Sequence, residues 1–360
     1  MTIIEPSVTP SDISQCNNAA SFLQSGFWGS FKARFGWNAR GFLIDWGELG
    51  QTSLMVIRRR LAPWLSFAYV PWGPELPVGF PSDDIARNQA LVSIARSLKD
   101  LLPRDTTFTR FDPPWFTEYT PTNKSVAPSA VPPPRILKPF LRAGADIQPP
   151  DTVLLNIVSN ESDLLARMKS KWRYNIRLAV KKGVTVRQAE VNELPKFYAI
   201  LKKTAKRDGI AIHSIDYYEM LFFHCRDYPQ GGQEIVLYLA EHEGETLAGA
   251  VVLFRGKEAV YLYGASSDNK RNLMAPYLVQ WKAIIDAKAK GCTVYDFFGI
   301  PPSEDSTHPM AGLYRFKTGF GGQMIHRPGS WDYAYHPLAK TLFTTAESLR
   351  KKLRNLKKRG

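Results

Sequence analysis

The chain has 360 residues, enough for about two domains of ordinary size, and its 44% hydrophobic and 12% aromatic content excludes a disordered polypeptide. Forty-seven Lys and Arg against 33 Asp and Glu leave a net charge of +14, which draws polyanions: nucleic acid, a phosphorylated metabolite or an anionic membrane surface. No run approaches the roughly 20 apolar residues of a bilayer-spanning helix. Met1 to Asp12 carries Glu5 and Asp12 with no Lys or Arg, unlike a secretory signal, so a cytoplasmic chain is expected.

In chain order, apolar runs at Gly41 to Trp46, Ser53 to Ile57 and Trp64 to Tyr69 predict a three-stranded meander punctuated by Gly47, Gly50 and Pro63. Ile85, Leu91, Ile94, Ala95 and Leu98 predict a helix over about Asp84 to Leu101, and Thr107 to Phe111 a strand closed by Asp112-Pro-Pro114. The proline-rich stretch Pro121 to Pro150 reads as a loop crossing into a second domain, which opens with a strand at Thr152 to Val158 and a helix capped near Asn160 or Ser162. Strands follow at Glu234 to Glu241, Thr246 to Phe254 and Ala259 to Tyr263, then a helix at about Leu273 to Lys290 with Gly291 as its C-cap, and a strand at Thr293 to Phe298.

The order of the first region therefore repeats in the second: Gly41 and Ile235 stand 194 residues apart, Trp64 and Ala259 195. Three antiparallel strands, a helix and a further strand resemble the central unit of an N-acetyltransferase-like (GNAT) fold, in which two strands splay to admit an acyl donor. The expected fold class is α/β (α+β), two tandem GNAT-like domains from an internal duplication. The expected division is 1–147, 148–322, and a segment 323–360 that returns to the first domain and ends in a basic helix. Coenzyme A-binding members present a glycine-rich loop at the helix N-terminus. Here that stretch is Lys270-Arg-Asn-Leu-Met-Ala275, with Leu273 where glycine is wanted, so no cofactor is expected. Cys16, Cys225 and Cys292 are too scattered for a disulfide framework, and the six histidines lack ligand spacing, so no metal is expected either.

Three segments concentrate positive charge. The run Leu164 to Lys182 reads as one helix carrying seven Lys or Arg and no acid, with Arg173 and Arg177 on one face, a pattern suited to phosphate or to a solvated surface. The run Gly312-Leu-Tyr-Arg-Phe-Lys-Thr-Gly-Phe-Gly-Gly322 reads as an anion-gripping segment. Arg315 and Lys317 supply charge there, and Gly319, Gly321 and Gly322 allow close backbone approach; an edge strand with alternating faces gives the same pattern. Finally, seven of the ten residues from Arg350 to Arg359 are basic, and Leu342, Leu349, Leu353 and Leu356 share an apolar stripe. Such a helix suits an anionic inner membrane face, RNA phosphates, or docking on the protein's own body.

Five segments in order resemble the Fem-type (FemABX) peptidoglycan-bridge aminoacyltransferases. They are Leu23-Gln-Ser-Gly-Phe-Trp-Gly-Ser-Phe-Lys-Ala-Arg-Phe-Gly-Trp37, Arg110-Phe-Asp-Pro113, Lys169-Ser-Lys-Trp-Arg-Tyr-Asn-Ile-Arg-Leu-Ala179, Tyr261-Leu-Tyr-Gly-Ala-Ser266 and Gly312 to Gly322. The resemblance implies a transferase that moves an amino acid from aminoacyl-tRNA to the stem-peptide amine of a UDP-linked or lipid-linked muramyl-pentapeptide precursor. It implies that Lys32 grips the precursor, that Asp112 lies near the acceptor amine, and that Tyr217 and Tyr263 line the precursor site. Phe316 and Lys317 would stabilise the reacting ester, and His213 stands where relatives often carry Arg. Two other readings of the residues stay open: an N-acyltransferase using an acyl-CoA donor, and a non-catalytic RNA or membrane-surface binding protein.

Overall fold

The computed structural model describes residues 5–119, 132–301, 310–345 and 347. The basic tail 350–359, with Leu349, Leu353 and Leu356, lies outside them. Contacts cluster into two compact units, Met1–Thr117 with Pro132–Pro150 and Arg327–Gly360, and Glu118–Val131 with Asp151–His326.

The chain begins with β1 (Ser7–Ser11) and α1 (Gly26–Ala33), then β2 (Asn38–Asp45), β3 (Gln51–Ala62) and β4 (Leu65–Val70). Next come α2 (Asp84–Leu101), β5 (Thr106–Phe111), β6 (Thr117–Tyr119) and β7 (Leu141–Arg142). The second unit runs through β8 (Asp151–Asn156), α3 (Glu161–Arg167), α4 (Ser170–Lys181), β9 (Thr185–Ala189), α5 (Leu194–Asp208) and α6 (Ile215–Asp227). It continues with β10 (Gln233–His242), β11 (Glu245–Arg255), β12 (Glu258–Ser266), α7 (Ala275–Ala289), β13 (Val294–Gly299), α8 (Ala311–Thr318) and β14 (Gln323–His326); β15 (Trp331–Ala334) returns to the first unit. Among the described residues the sheets are ordered β1-β2-β3-β4-β5-β15-β7 and β6-β14-β8-β13-β12-β11-β10-β9.

Each unit repeats one core: an antiparallel meander, β2-β3-β4 or β10-β11-β12, then a helix, α2 or α7, then a strand parallel to the last of the three. The fold is α/β, two tandem GNAT-like domains. The central strands read as continuous apolar runs because both faces are covered. On β11, Ala248, Ala250, Val252 and Phe254 join the core that contains α7's Val279 and Ala283, whereas Gly249 abuts Phe197 of α5. On β3, Leu54 and Val56 pack in the core with Leu91 and Ile94 of α2, and Met55 meets Gly29 of α1.

Local chemistry sets the helix ends. Asp83 caps α2 by accepting from Ala86 N–H, and Leu91, Ile94, Ala95 and Leu98 are completely buried, the helical period the sequence shows. Asn160 caps α3 in the same way. Gly291 follows α7 at φ 81°, a left-handed position suited to glycine.

Two expectations are corrected. Leu164 to Lys182 is not one helix: it breaks at Met168 and Lys169, both extended, where Lys169 N–H bonds the Gly319 carbonyl instead of continuing the turn. Nor is Gly312 to Gly322 a strand or a ligand-approach loop. Residues 311–318 are the helix α8, burying Ala311, Tyr314 and Lys317 at steps of three.

Candidate active site

The segment after α8 is glycine-rich because the protein itself crowds it. A Cβ on Gly319 would lie 2.1 Å from the Trp172 ring, one on Gly321 2.5 Å from the Arg167 carbonyl, and one on Gly322 2.6 Å from Val153. Trp172 Nε1–H also donates to the Phe316 carbonyl at 2.9 Å. The Trp172 and Gly319 motifs therefore form one packed joint that fixes the end of α8, and the glycines serve that joint, correcting the expectation that they admit a ligand.

The joint aims Lys317 inward. The residue is 5% exposed, yet among the described residues its ammonium donates to a single carbonyl, Gly299 O at 2.9 Å, and it lies 5.2 Å from the centre of the Tyr261 ring. The lysine sits where two parallel strands part. β12 and β13 pair from Glu258↔Val294 to Val260↔Asp296 and no further. Beyond that point β12 bulges at Leu262, between the Val251↔Tyr263 and Val252↔Tyr261 pairs. β13 also slips against β8, where Asp296 faces Leu154 but Gly299 faces Thr152. A Cβ on Gly264 would fall 1.6 Å from the Tyr261 hydroxyl, so this glycine makes room for the ring under the ammonium.

Asp296, completely buried, organises the break. Its Oδ1 accepts from the Thr152 hydroxyl and from Phe298 N–H at 2.7 Å, holding Phe298 at φ 57°, and the next residue presents its carbonyl to Lys317. Burial pushes the Lys317 ammonium down to about 7, against the upward pull of Asp296. Neither Asp296 nor Thr152 was singled out from the sequence. The available signal was a lone carboxylate inside the apolar run Val294-Tyr-Asp-Phe-Phe298.

The other expected residues fall in separate settings. Phe316 is half-buried, edge-on to Tyr277 and Phe320, with its carbonyl taken by Trp172. His213 stacks on Tyr217 at 3.8 Å between ring centres, and Tyr217 shares a hydroxyl hydrogen bond with Tyr263, whose ring meets Tyr218 edge-on at 5.0 Å. Burial pushes the Tyr217 hydroxyl up to about 12. Arg173 turns back onto the Ala166 and Met168 carbonyls at the end of α3, so its charge is spent largely on a helix C-terminus. Arg177 and Arg315 are exposed on α4 and α8.

In the first unit, Lys32 lies in the last turn of α1 with its ammonium 5.6 Å from the Trp28 ring centre. Burial, reinforced by Arg59, lowers it to about 8. Asp112 follows β5 and is 3% exposed; burial raises its carboxyl to about 6 despite hydrogen bonds from the Ser330 hydroxyl, the Tyr69 hydroxyl and Gln148 N–H. A carboxylate has about four lone-pair directions, so three donors leave one for an incoming cation.

The N-terminus of α7 stands at the position of a pyrophosphate loop in an acyl-CoA enzyme, and here a buried leucine takes the place of a glycine. Residues Arg271–Leu273 form a 3-10 turn in which Leu273 and Met274 N–H bond the Lys270 and Arg271 carbonyls, and Leu273 is buried.

The model of the FemAB family matches residues 12–243 and 233–348. The chain belongs to the FemAB family. Among its relatives, the lipid II:glycine glycyltransferase of Staphylococcus saprophyticus is 26% identical over 270 residues, covering 59% of this chain and 64% of that protein. The lipid II:glycine glycyltransferase of Staphylococcus aureus is 26% identical over 277 residues with the same coverage. The match thus spans less than two thirds of the length of these relatives. The crystal structure of FemX superposes with a TM-score of 0.70 at 20% identity, over 92% of this chain and 97% of that one, and so shares the fold.

Proposed function

We propose that the chain is a tRNA-dependent aminoacyltransferase that acylates the stem-peptide amine of a muramyl-pentapeptide precursor, working in the cytoplasm and reaching the inner membrane face peripherally. The observation that carries this reading is Lys317, an amine buried where β12 and β13 separate, with a carbonyl and a ring for company and a proton affinity balanced near neutrality. Membership of the FemAB family and the lipid II:glycine glycyltransferases among its relatives support it.

The reaction is aminolysis of an ester. The acceptor ammonium first loses a proton, for which Asp112 offers a carboxylate above about pH 6. The amine attacks the ester carbonyl, a C–N bond forms, and the carbonyl electron pair moves to oxygen. Lys317, in its protonated form, stabilises that oxyanion by short-range attraction in a water-poor setting. The attacking nitrogen then gives up a further proton, collapse of the intermediate breaks the C–O bond, and that proton passes to the ribose oxygen, which leaves as the tRNA hydroxyl. Phe316 contributes its ring to the wall of this site. Lys32 grips a precursor phosphate, the Tyr217–Tyr263 pair with His213 lines the precursor, and Arg177 and Arg315, with a lesser share from Arg173, meet tRNA phosphates.

The test is incubation of the purified chain with a mixture of charged tRNAs and muramyl pentapeptide, followed by mass analysis. A gain of one amino-acid residue, dependent on the tRNA, is expected. An acetyl gain from acetyl-CoA, with none from charged tRNA, would replace this reading with the acyl-CoA one.

A further inference from the structure

The first unit carries a hairpin that projects past both neighbouring strands. The last β2–β3 pair is Asn38↔Arg58, and β4–β5 pairing begins only at Ser66↔Thr106, so among the described residues the β3–β4 turn from Arg59 to Leu65 has no strand on either side. Its tip, Leu61-Ala62-Pro63-Trp64-Leu65, is five consecutive apolar residues. Trp64 is 64% exposed and Leu61 41%. A run of this kind at a projecting tip serves no core, and solvent exposure of a Trp–Leu pair is unfavourable unless something covers it.

The surroundings say what covers it. Arg59, Arg60 and Arg104 are exposed at the same end of the sheet, and Arg40, also exposed, reaches the Leu101 carbonyl there at 3.4 Å. Arg58 adds a charge that is paired with Asp105, whose carboxylate also lies 3.7 Å from the Arg60 guanidinium; one acid is thus shared between two arginines. Against these five arginines the ion pairs place one acid, Asp105, so the balance is positive. Arg60 donates to Pro63 O at 2.8 Å, bracing the turn beneath the apolar tip. A convex apolar tip above a collar of permanently charged guanidiniums matches an anionic bilayer: the Trp and Leu enter the headgroup boundary while the arginines meet lipid phosphates. A nucleic acid would instead be held in a groove with aromatics as stacking floors, and this tip is a projection.

We propose that the β3–β4 hairpin docks the protein on an anionic phospholipid surface, with Leu61 and Trp64 inserted and Arg59 and Arg60 on the headgroups. Arg59 also neighbours Lys32 closely enough to lower its proton affinity. Docking therefore brings the bilayer surface towards the lysine assigned to the precursor and favours a lipid-linked acceptor over a soluble one.

The docking itself is tested without any transfer assay, so its failure would leave the aminoacyl-transfer reading standing. The full chain is sedimented with phosphatidylcholine vesicles, with and without about one-third phosphatidylglycerol, alongside Leu61→Ser/Trp64→Ser and Arg59→Ser/Arg60→Ser. The wild type should bind the anionic vesicles. The apolar double variant, which keeps every charge including those of residues 350–359, should lose about tenfold in partitioning with an unchanged melting temperature. The arginine double variant should lose the preference for anionic lipid. Wild-type partitioning by the Leu61→Ser/Trp64→Ser protein would overturn the proposal, as would absence of vesicle binding by the wild type. Loss of tRNA binding by that variant with vesicle binding retained would also overturn it, and would assign the tip to nucleic acid.

Discussion

The β4–β5 pair of the first unit and the β12–β13 pair of the second begin from one topology and end differently. The first shifts register once, at Thr107, but stays paired from Ser66↔Thr106 to Val70↔Phe111 and is prolonged by Asp112 N–H on the Val70 carbonyl. The second opens after Val260↔Asp296, and the Gly299 carbonyl, turned by the Phe298 bend, receives a buried ammonium. The ionisable groups at these two ends differ accordingly. Asp112 collects three donors at a closed strand end, whereas Lys317 meets one carbonyl and one ring at an open one. Duplication has left one copy as a closed platform and one as an open, electrostatically costly site.

A large effect that would break this comparison concerns Asp112. Asp112→Asn keeps the shape but cannot accept the proton of the acceptor ammonium, and should lower the transfer rate about a hundredfold. In the wild type the rate should fall as pH drops through about 6, the raised Asp112 value, and that acid limb should vanish in the variant. Rates of the two proteins that run parallel across pH 5 to 7 would remove Asp112 from proton transfer.

A second effect sharpens the contrast through stability. Lys317 folds with its proton affinity lowered from 10.5 to about 7, so the unfolded chain binds a proton that the folded chain gives up between those values. The resulting penalty is fully present below pH 7 and disappears as pH rises towards 10.5. Lys317→Met should therefore stabilise the protein at pH 7 by about 2 kcal/mol, after allowance for relaxation and the lost Gly299 bond. The difference should shrink as pH rises, read by denaturant unfolding at pH 7 and pH 9.5. A destabilised Lys317→Met protein would mean that the ammonium is structurally satisfied.

A smaller effect belongs to Asp296. Asp296→Asn removes the negative charge that raises the Lys317 proton affinity and weakens the acceptor holding Phe298 N–H, so transfer should drop about tenfold. Its alkaline limb should move to lower pH. An alkaline limb that stays in place would separate Asp296 from Lys317.

Much of this was legible in the sequence, and the reasons for the rest are physical. The meanders, α2 and α7 follow from period and capping, because their apolar faces are determined locally: Asp83, Leu91, Leu98 and Gly291 each act within a turn or two of the chain. β15 was not legible, since Trp331 pairs with Phe111 across more than half the sequence and four residues carry too little pattern to announce it. α8 was misread because Tyr-Arg-Phe-Lys alternates like a strand over four residues; the three-residue spacing of Ala311, Tyr314 and Lys317 was the better signal. The role of Gly319 could not be read without Trp172, which comes from a distant helix to fill the space a side chain would need. Lys317 itself was legible as a charge among aromatics, while the strand break that gives it a purpose was not.

The most direct test is the split between kcat and KM for Lys317→Met and Lys32→Met, measured with charged tRNA and varied precursor. If the open second copy stabilises the oxyanion and the closed first copy holds and deprotonates the acceptor, Lys317→Met lowers kcat by about 10²–10³ with KM little changed, whereas Lys32→Met raises KM about tenfold with kcat little changed. Retention of kcat by Lys317→Met, or the reverse split between the two lysines, would contradict that division of labour.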